Sequence, residues 1–251
     1  MPAVTVREDH RLAGALLIGV PIIFTVCFTL LQVRFEYPDI LRQPTADILT
    51  KFQAGGTSLV AVWYILTLTA LLFIPIAVLL HRALAEQGAS TALWVATTFG
   101  VIAGLVQALG FLRWPFLVPH LAQVYLAPET SEAQRAATVV VFDAFHRYVG
   151  MAIGEHLGFL CTSLWTAGVA LLMWRSPQFG RVLGLSGVVL AGGIASGLLE
   201  PAGWSLAGPI NAIGYIAWAL WLVAVGVRLL VRREATVSSQ YLPTILPRSV
   251  T

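Results

Sequence analysis

Charged and strongly polar side chains are scarce in the apolar stretches of this chain, and those that occur there recur at one depth. Arg113, Glu155, His156, Glu200 and Asn211 are the set. A charge held in hydrocarbon is expensive and is commonly retained for function, so depth decides how each residue is read. Measured from Trp174, Glu155 lies 19 residues away, about 29 Å along a helix. Glu200 measured from Arg181, and Arg113 measured from Trp94, give the same 19 residues and about 29 Å. Asn211 precedes Arg228 by 17 residues, about 26 Å. Four helices therefore place polar groups at one level, near the outer edge of the hydrocarbon. Trp63, Tyr64, Trp114 and Trp204 fall at similar height, where aromatic belts form.

Two chemistries suit this set. A desolvated carboxylate without a fixed partner is suited to carry a proton or act as a general acid, and Glu155 and Glu200 face a single arginine, Arg113, at their level. His156 adjoins Glu155, but neighbours on a helix point about 100° apart. A structural reading stands beside the functional one. Arg113 pairing with either carboxylate would make a polar ring that only holds the helices together, and Asp143 and Arg147 at i, i+4 would form a helix-surface ion pair.

Metal chemistry has weaker grounds. His120, Asp143, His146, Glu155 and His156 all fall on the outer side, and zinc accepts imidazole and carboxylate ligands. No HExxH or HxxxH spacing occurs. His146 and His156 are ten residues apart, about 280° around and about 15 Å along a straight α-helix. They cannot share one ion there, and no metal or cofactor is expected. Nucleotide-binding and nucleophile-elbow motifs are absent. The one lysine, Lys51, lies in a connection, so no helix carries a Schiff-base lysine. Cys27 and Cys161 sit in apolar runs as small hydrophobes.

The elements that position these groups are membrane spans. Of 251 residues, 58% are hydrophobic and 11% charged, with a mean hydropathy of +0.82; soluble domains carry about 25% charged residues. The net charge of +3 lies mostly between apolar runs, without a basic stripe, so nucleic acid is not a partner. The expected fold is an all-α integral membrane bundle of six transmembrane helices. The spans are about 12–33, 59–80, 92–118, 150–174, 182–199 and 210–227, with short tails at 1–11 and 228–251 flanking a single membrane domain. The first run is too long for a signal peptide and lacks a small-x-small cleavage site, so it reads as a retained anchor.

Ser131 and Gln134 make a capping-box pattern. A helix from Glu132 to Trp174 would be about 64 Å long, so it must project outward or break near Gly150 and Gly154; the fourth helix is expected to be long and to project outward, with a bend. Pro44 suits a helix start. Ile48, Leu49 and Phe52 would then share one face of a short interfacial helix. Gly100-x-x-x-Gly104 and Gly193-x-x-x-Gly197 suit close helix packing. Pro21 and Pro75 could break the first two spans, but no charge lies near either, and no polar residue is expected at the midplane, where transporter sites usually lie.

Charge bias orients the bundle. With the N-terminus cytoplasmic, the inner segments hold Arg7, Arg11, Arg82, Arg175, Arg181, Arg228, Arg232, Arg233 and Arg248. The outer loops hold Arg34, Arg42, Lys51 and Arg135. Both termini are expected inside.

Several stretches together resemble a family of bacterial six-helix membrane proteins known as a domain of unknown function. They are Tyr37-Pro38-Asp39-Ile40-Leu41-Arg42, Gly110-Phe111-Leu112-Arg113-Trp114-Pro115, His146-Arg147-Tyr148 with Gly154-Glu155-His156-Leu157-Gly158, and Leu199-Glu200-Pro201. The resemblance implies a bacterial inner-membrane location and supplies no activity, cofactor or catalytic residue. The expected function is binding or sensing of a small ligand, cationic or lipophilic, at an outward vestibule. Its candidate residues are Arg113, Trp114, Glu155, His156, Glu200 and Asn211, with His120, Asp143, His146 and Arg147 farther out. The alternatives are a membrane enzyme using Glu155 or Glu200 as acid or base, and a small proton-coupled transporter. The partners are the bilayer, a small molecule or cation, and further copies of the chain in an oligomer. A reporter fused after Thr251 should be active only on the cytoplasmic side; activity only outside would overturn the orientation.

Overall fold

The computed structural model describes residues 3–86, 88 and 90–240, and side chains for residues 8–86, 88 and 90–231. The side chains of Arg7, Arg232 and Arg233, together with Arg248 and Thr251, lie outside the described residues. Lipid offers the backbone no hydrogen-bond partners, so long apolar runs satisfy themselves as helices. The elements are α1 (Ala3–Phe35), a 3-10 turn (Asp39–Arg42), α2 (Thr45–Ala85), α3 (Thr91–Phe116) and α4 (Val118–Leu126). They continue with α5 (Glu132–Phe145), a π-helix (His146–Leu157), α6 (Gly158–Arg175), α7 (Gly180–Ala195), a second 3-10 segment (Ser196–Ala202) and α8 (Ala207–Gln240). Among the described residues, six helical rods are long and apolar enough to cross a bilayer: Glu8–Phe35, Thr45–Ala85, Thr91–Leu126, Glu132–Arg175, Gly180–Ala202 and Ala207–Val231.

The rods form a closed ring in chain order. Each packs on its sequence neighbours, and α8 returns to pack on α1. Aromatic side chains fill the middle. Phe73, Trp165 and Trp218, from α2, α6 and α8, meet edge-to-face or tilted, with ring centroids 4.8, 5.4 and 6.2 Å apart. The core divides into two clusters. One surrounds Trp165 and Trp221; the other, at the end carrying the α1–α2 connection, surrounds Trp63 and Trp114.

The helix starting after Pro44 does not lie at an interface. Its residues Ile48, Leu49 and Phe52 are buried in the second cluster, and the helix runs on into the second span. Gly56 bends it at φ 58°, a conformation that favours glycine. The bend turns residues 45–55 into an arm folded over the bundle end. Trp63 and Trp114 also depart from the belt expected of them. They stack at 4.7 Å with an 11° interplanar angle and are fully buried, whereas Tyr64 and Trp204 are exposed. An aromatic belt faces lipid headgroups; here both rings meet Phe35, and Trp114 also stacks on Phe52.

The fourth rod starts at the expected capping box on Ser131. It then neither runs straight nor breaks at Gly150 and Gly154. It widens into a π-helix over His146–Leu157, so angles counted at 3.6 residues per turn do not apply across it. Gly154 meets Gly110 of α3 backbone to backbone; a Cβ on Gly110 would sit 2.6 Å from the Gly154 Cα. The helices run past the expected first and last spans: α1 begins at Ala3 and α8 continues to Gln240.

Gly110→Ala should destabilise the protein by about 1–3 kcal/mol, the usual cost of overpacking, since neither backbone can retreat. Gly192→Ala, with open space around its Cβ, should be near neutral. Thermal unfolding of both variants in the same detergent checks the contrast.

Candidate functional site

At the end of the bundle covered by the arm, the 3-10 turn Asp39–Arg42 buries Ile40 and Leu41 and turns Arg42 inward. One guanidinium nitrogen, Nη2, donates to Glu155 Oε2 at 3.2 Å and to Glu200 Oε2 at 3.1 Å. A single loop arginine thus joins the fourth and fifth spans. The side chains of Arg42, Glu200 and Glu155 are 45%, 34% and 18% exposed. Burial works against the Arg42 charge, but the two carboxylates outweigh it and hold its pKa above the ordinary range. Burial, reinforced by Glu155, also pushes the Tyr37 phenol up, so it remains a neutral hydroxyl.

Arg113 does not play the role expected of it. It is 7% exposed and donates Nη1 to the carbonyl of Gly110. Its guanidinium lies 5.0 Å from the Trp114 ring centroid, a cation–π distance. It interacts with Glu155 through space without reaching ion-pair distance. Gly150 makes its room, since a Cβ there would come within 2.5 Å of Arg113 Cζ. Both carboxylates therefore have a fixed cation, and neither is the unpartnered acid expected. Gly208, at the start of α8, leaves space for the other oxygen of Glu200, 2.7 Å from where its Cβ would stand.

The remaining candidates divide. His156, beside Glu155, is half-buried. Asn211 stands apart as a helix clasp, donating Nδ2 to the Ile194 carbonyl at 2.6 Å. Trp114 is sealed in the aromatic cluster and reaches no solute. His120 and Arg147 are exposed. Asp143 accepts from the Thr45 hydroxyl instead of pairing with Arg147. His146 is buried, with Nε2 2.9 Å from the Leu41 carbonyl. Asp143 and His146 thus grip both ends of the stretch that carries Arg42. Among the described residues no group of three His, Cys, Asp or Glu is placed to hold a metal.

Neutral polar residues lie deeper than expected. Gln107 Nε2 donates to Thr162 Oγ1 at 2.9 Å, and Trp218 Nε1 to Thr166 Oγ1 at 2.9 Å. Thr162 lies 12 residues from Trp174 and Gln107 13 from Trp94, about 18 and 20 Å. The expectation of an apolar midplane rested on charged side chains alone. A glutamine facing a threonine across two spans is the signal it passed over. Arg42 had a signal too: two carboxylates against one arginine at their level required a second cation.

Fold and site together define a multi-span α-helical membrane protein with a polar cluster at one end. The chain belongs to the family described as Domain of unknown function (DUF4386), whose model matches residues 12–226. No curated protein and no solved structure matches it.

Glu155→Gln should cost more stability than Glu200→Gln, because Glu155 is the more buried and lies near both arginines. About 1–2 kcal/mol is expected for Glu155, between the values of exposed and buried pairs. Thermal unfolding in lipid nanodiscs checks the order; equal costs would contradict it.

Proposed function

We propose that this end of the bundle faces outward and binds or senses a small molecule at the vestibule of Arg42, Glu155, Glu200 and His156. The whole chain is then one membrane domain in a bacterial inner membrane, with both termini cytoplasmic. The arginine bias of the opposite end supports the orientation.

The observation that carries the reading is the origin of the cation. Glu155 and Glu200 belong to different spans, yet their partner comes from a loop and is 45% exposed. Arg42 is the most exposed member of the cluster, so it is the group a solute can displace, and its displacement uncovers two converging carboxylates. A small cation or polar amphiphile entering the vestibule meets the same oxygens. The acid–base alternative is weakened by geometry, because both carboxylates already accept from the Arg42 guanidinium. The transporter alternative gains the Gln107–Thr162 pair but faces an aromatic plug below it.

Chemical rescue tests the reading. Arg42→Ala in lipid nanodiscs should unfold at a lower temperature than the parent. Methylguanidinium chloride should restore part of the loss, relative to sodium chloride at equal ionic strength, and should leave the parent unchanged. Absence of rescue would show that solutes do not reach the two carboxylates and would overturn the proposal.

A further inference from the structure

A partly open cavity of about 40 Å³ lies between α1, α2, α3 and α8, beneath the charged cluster. Its position follows from the chain. Pro21 lines it and has no N–H, so α1 lacks one backbone bond there. The Thr25 hydroxyl also donates to the Pro21 carbonyl, one turn back, at 2.8 Å. Phe73 and Trp218 line it and, with Trp165, form an aromatic contact between α2, α6 and α8.

Its wall is apolar except for Thr69, Gln107 and Tyr215. Thr69 is spent on the Leu66 carbonyl at 2.6 Å. Gln107 gives its amide nitrogen to Thr162, which leaves the amide oxygen as an acceptor. Thr162 is fully buried, accepts from Gln107 and neighbours the Tyr215 hydroxyl. The Tyr215 hydroxyl is both donor and acceptor, so it can give its hydrogen to a guest. One acceptor and one donor thus stand on an otherwise greasy wall. No arginine, lysine, histidine or carboxylate lines it, so a charged group entering would lose its hydration without compensation. A purely apolar guest would leave Gln107 and Tyr215 unmatched. A water needs roughly 10–15 Å³. The cavity therefore takes a small head and a few carbons, with the rest of the guest extending out.

We infer that this cavity binds the polar end of an uncharged, membrane-soluble amphiphile. Its hydroxyl head donates to Gln107 and accepts from Tyr215, and its apolar body lies against Phe24, Phe73 and Trp218. The inference deepens the vestibule reading and rests on it only for the route of entry.

Photolabelling tests it. The full chain in phosphatidylcholine nanodiscs is irradiated with a diazirine-bearing octanol, and adducts are mapped by mass spectrometry. Saturable adducts are expected on the peptides carrying Phe24 and Tyr215–Trp218, competed by octanol. Tyr215→Phe and Gln107→Leu should each weaken labelling there about three- to tenfold, the loss of one neutral hydrogen bond. Labelling of exposed Trp94 should not change, and circular dichroism should show both variants folded. Labelling that does not saturate, or octane competing as well as octanol, would overturn the inference. Octanoate competing better than octanol would overturn the uncharged class. Site labelling that persists at the parental rate in Arg42→Ala would count against entry through the vestibule while leaving the cavity assignment standing.

Discussion

A carboxylate near hydrocarbon must be met by a cation, and in this bundle the cation comes from outside the spans. That requirement organises the end of the molecule where it occurs. Arg42 reaches Glu155 and Glu200 only because Ile40 and Leu41 are buried behind it. The stretch is then held by His146 on the Leu41 carbonyl and by Asp143 on Thr45. The arm of residues 45–55 follows, bent at Gly56 and packed through Phe52 against the stacked tryptophans. Surface residues, an irregular loop and a helix bend thus serve one electrostatic constraint.

The π-helix meets the same constraint from the other side. Long π-helices are rare, and π-bulges concentrate at functional sites. Here the wide turns bring Gly150 to the Arg113 guanidinium and Gly154 to the α3 backbone. Glu155 follows at once, placed at the arginine of the loop. An α-helix of the same sequence would rotate these three residues away from their present partners. Backbone geometry, glycine placement and charge pairing are coupled within one short segment.

Below the charged cluster the ring changes character. Neutral hydrogen bonds link α3 to α6 and α6 to α8, and aromatic rings close the centre. Polarity therefore falls stepwise from charges to amide and hydroxyl groups to hydrocarbon.

Much of this was legible in the residues alone. Six spans, the capping box at Ser131 and the common depth of Arg113, Glu155 and Glu200 follow from hydropathy and helical rise, which are local properties. The partners of those charges are not local. Arg42 read as an ordinary loop charge, and Trp63 and Trp114 as a lipid-facing belt, because depth says nothing about which side of a helix faces the protein. The sequence by itself determined that polar groups gather at one level of a six-helix bundle. Tertiary structure alone decided that a loop arginine joins the carboxylates, that Arg113 lies beside them without an ion pair, and that Gln107 meets Thr162 at mid-depth. Ion pairs and cavities depend on rotation about each helix axis, and ring closure, proline and the π-turn set that rotation.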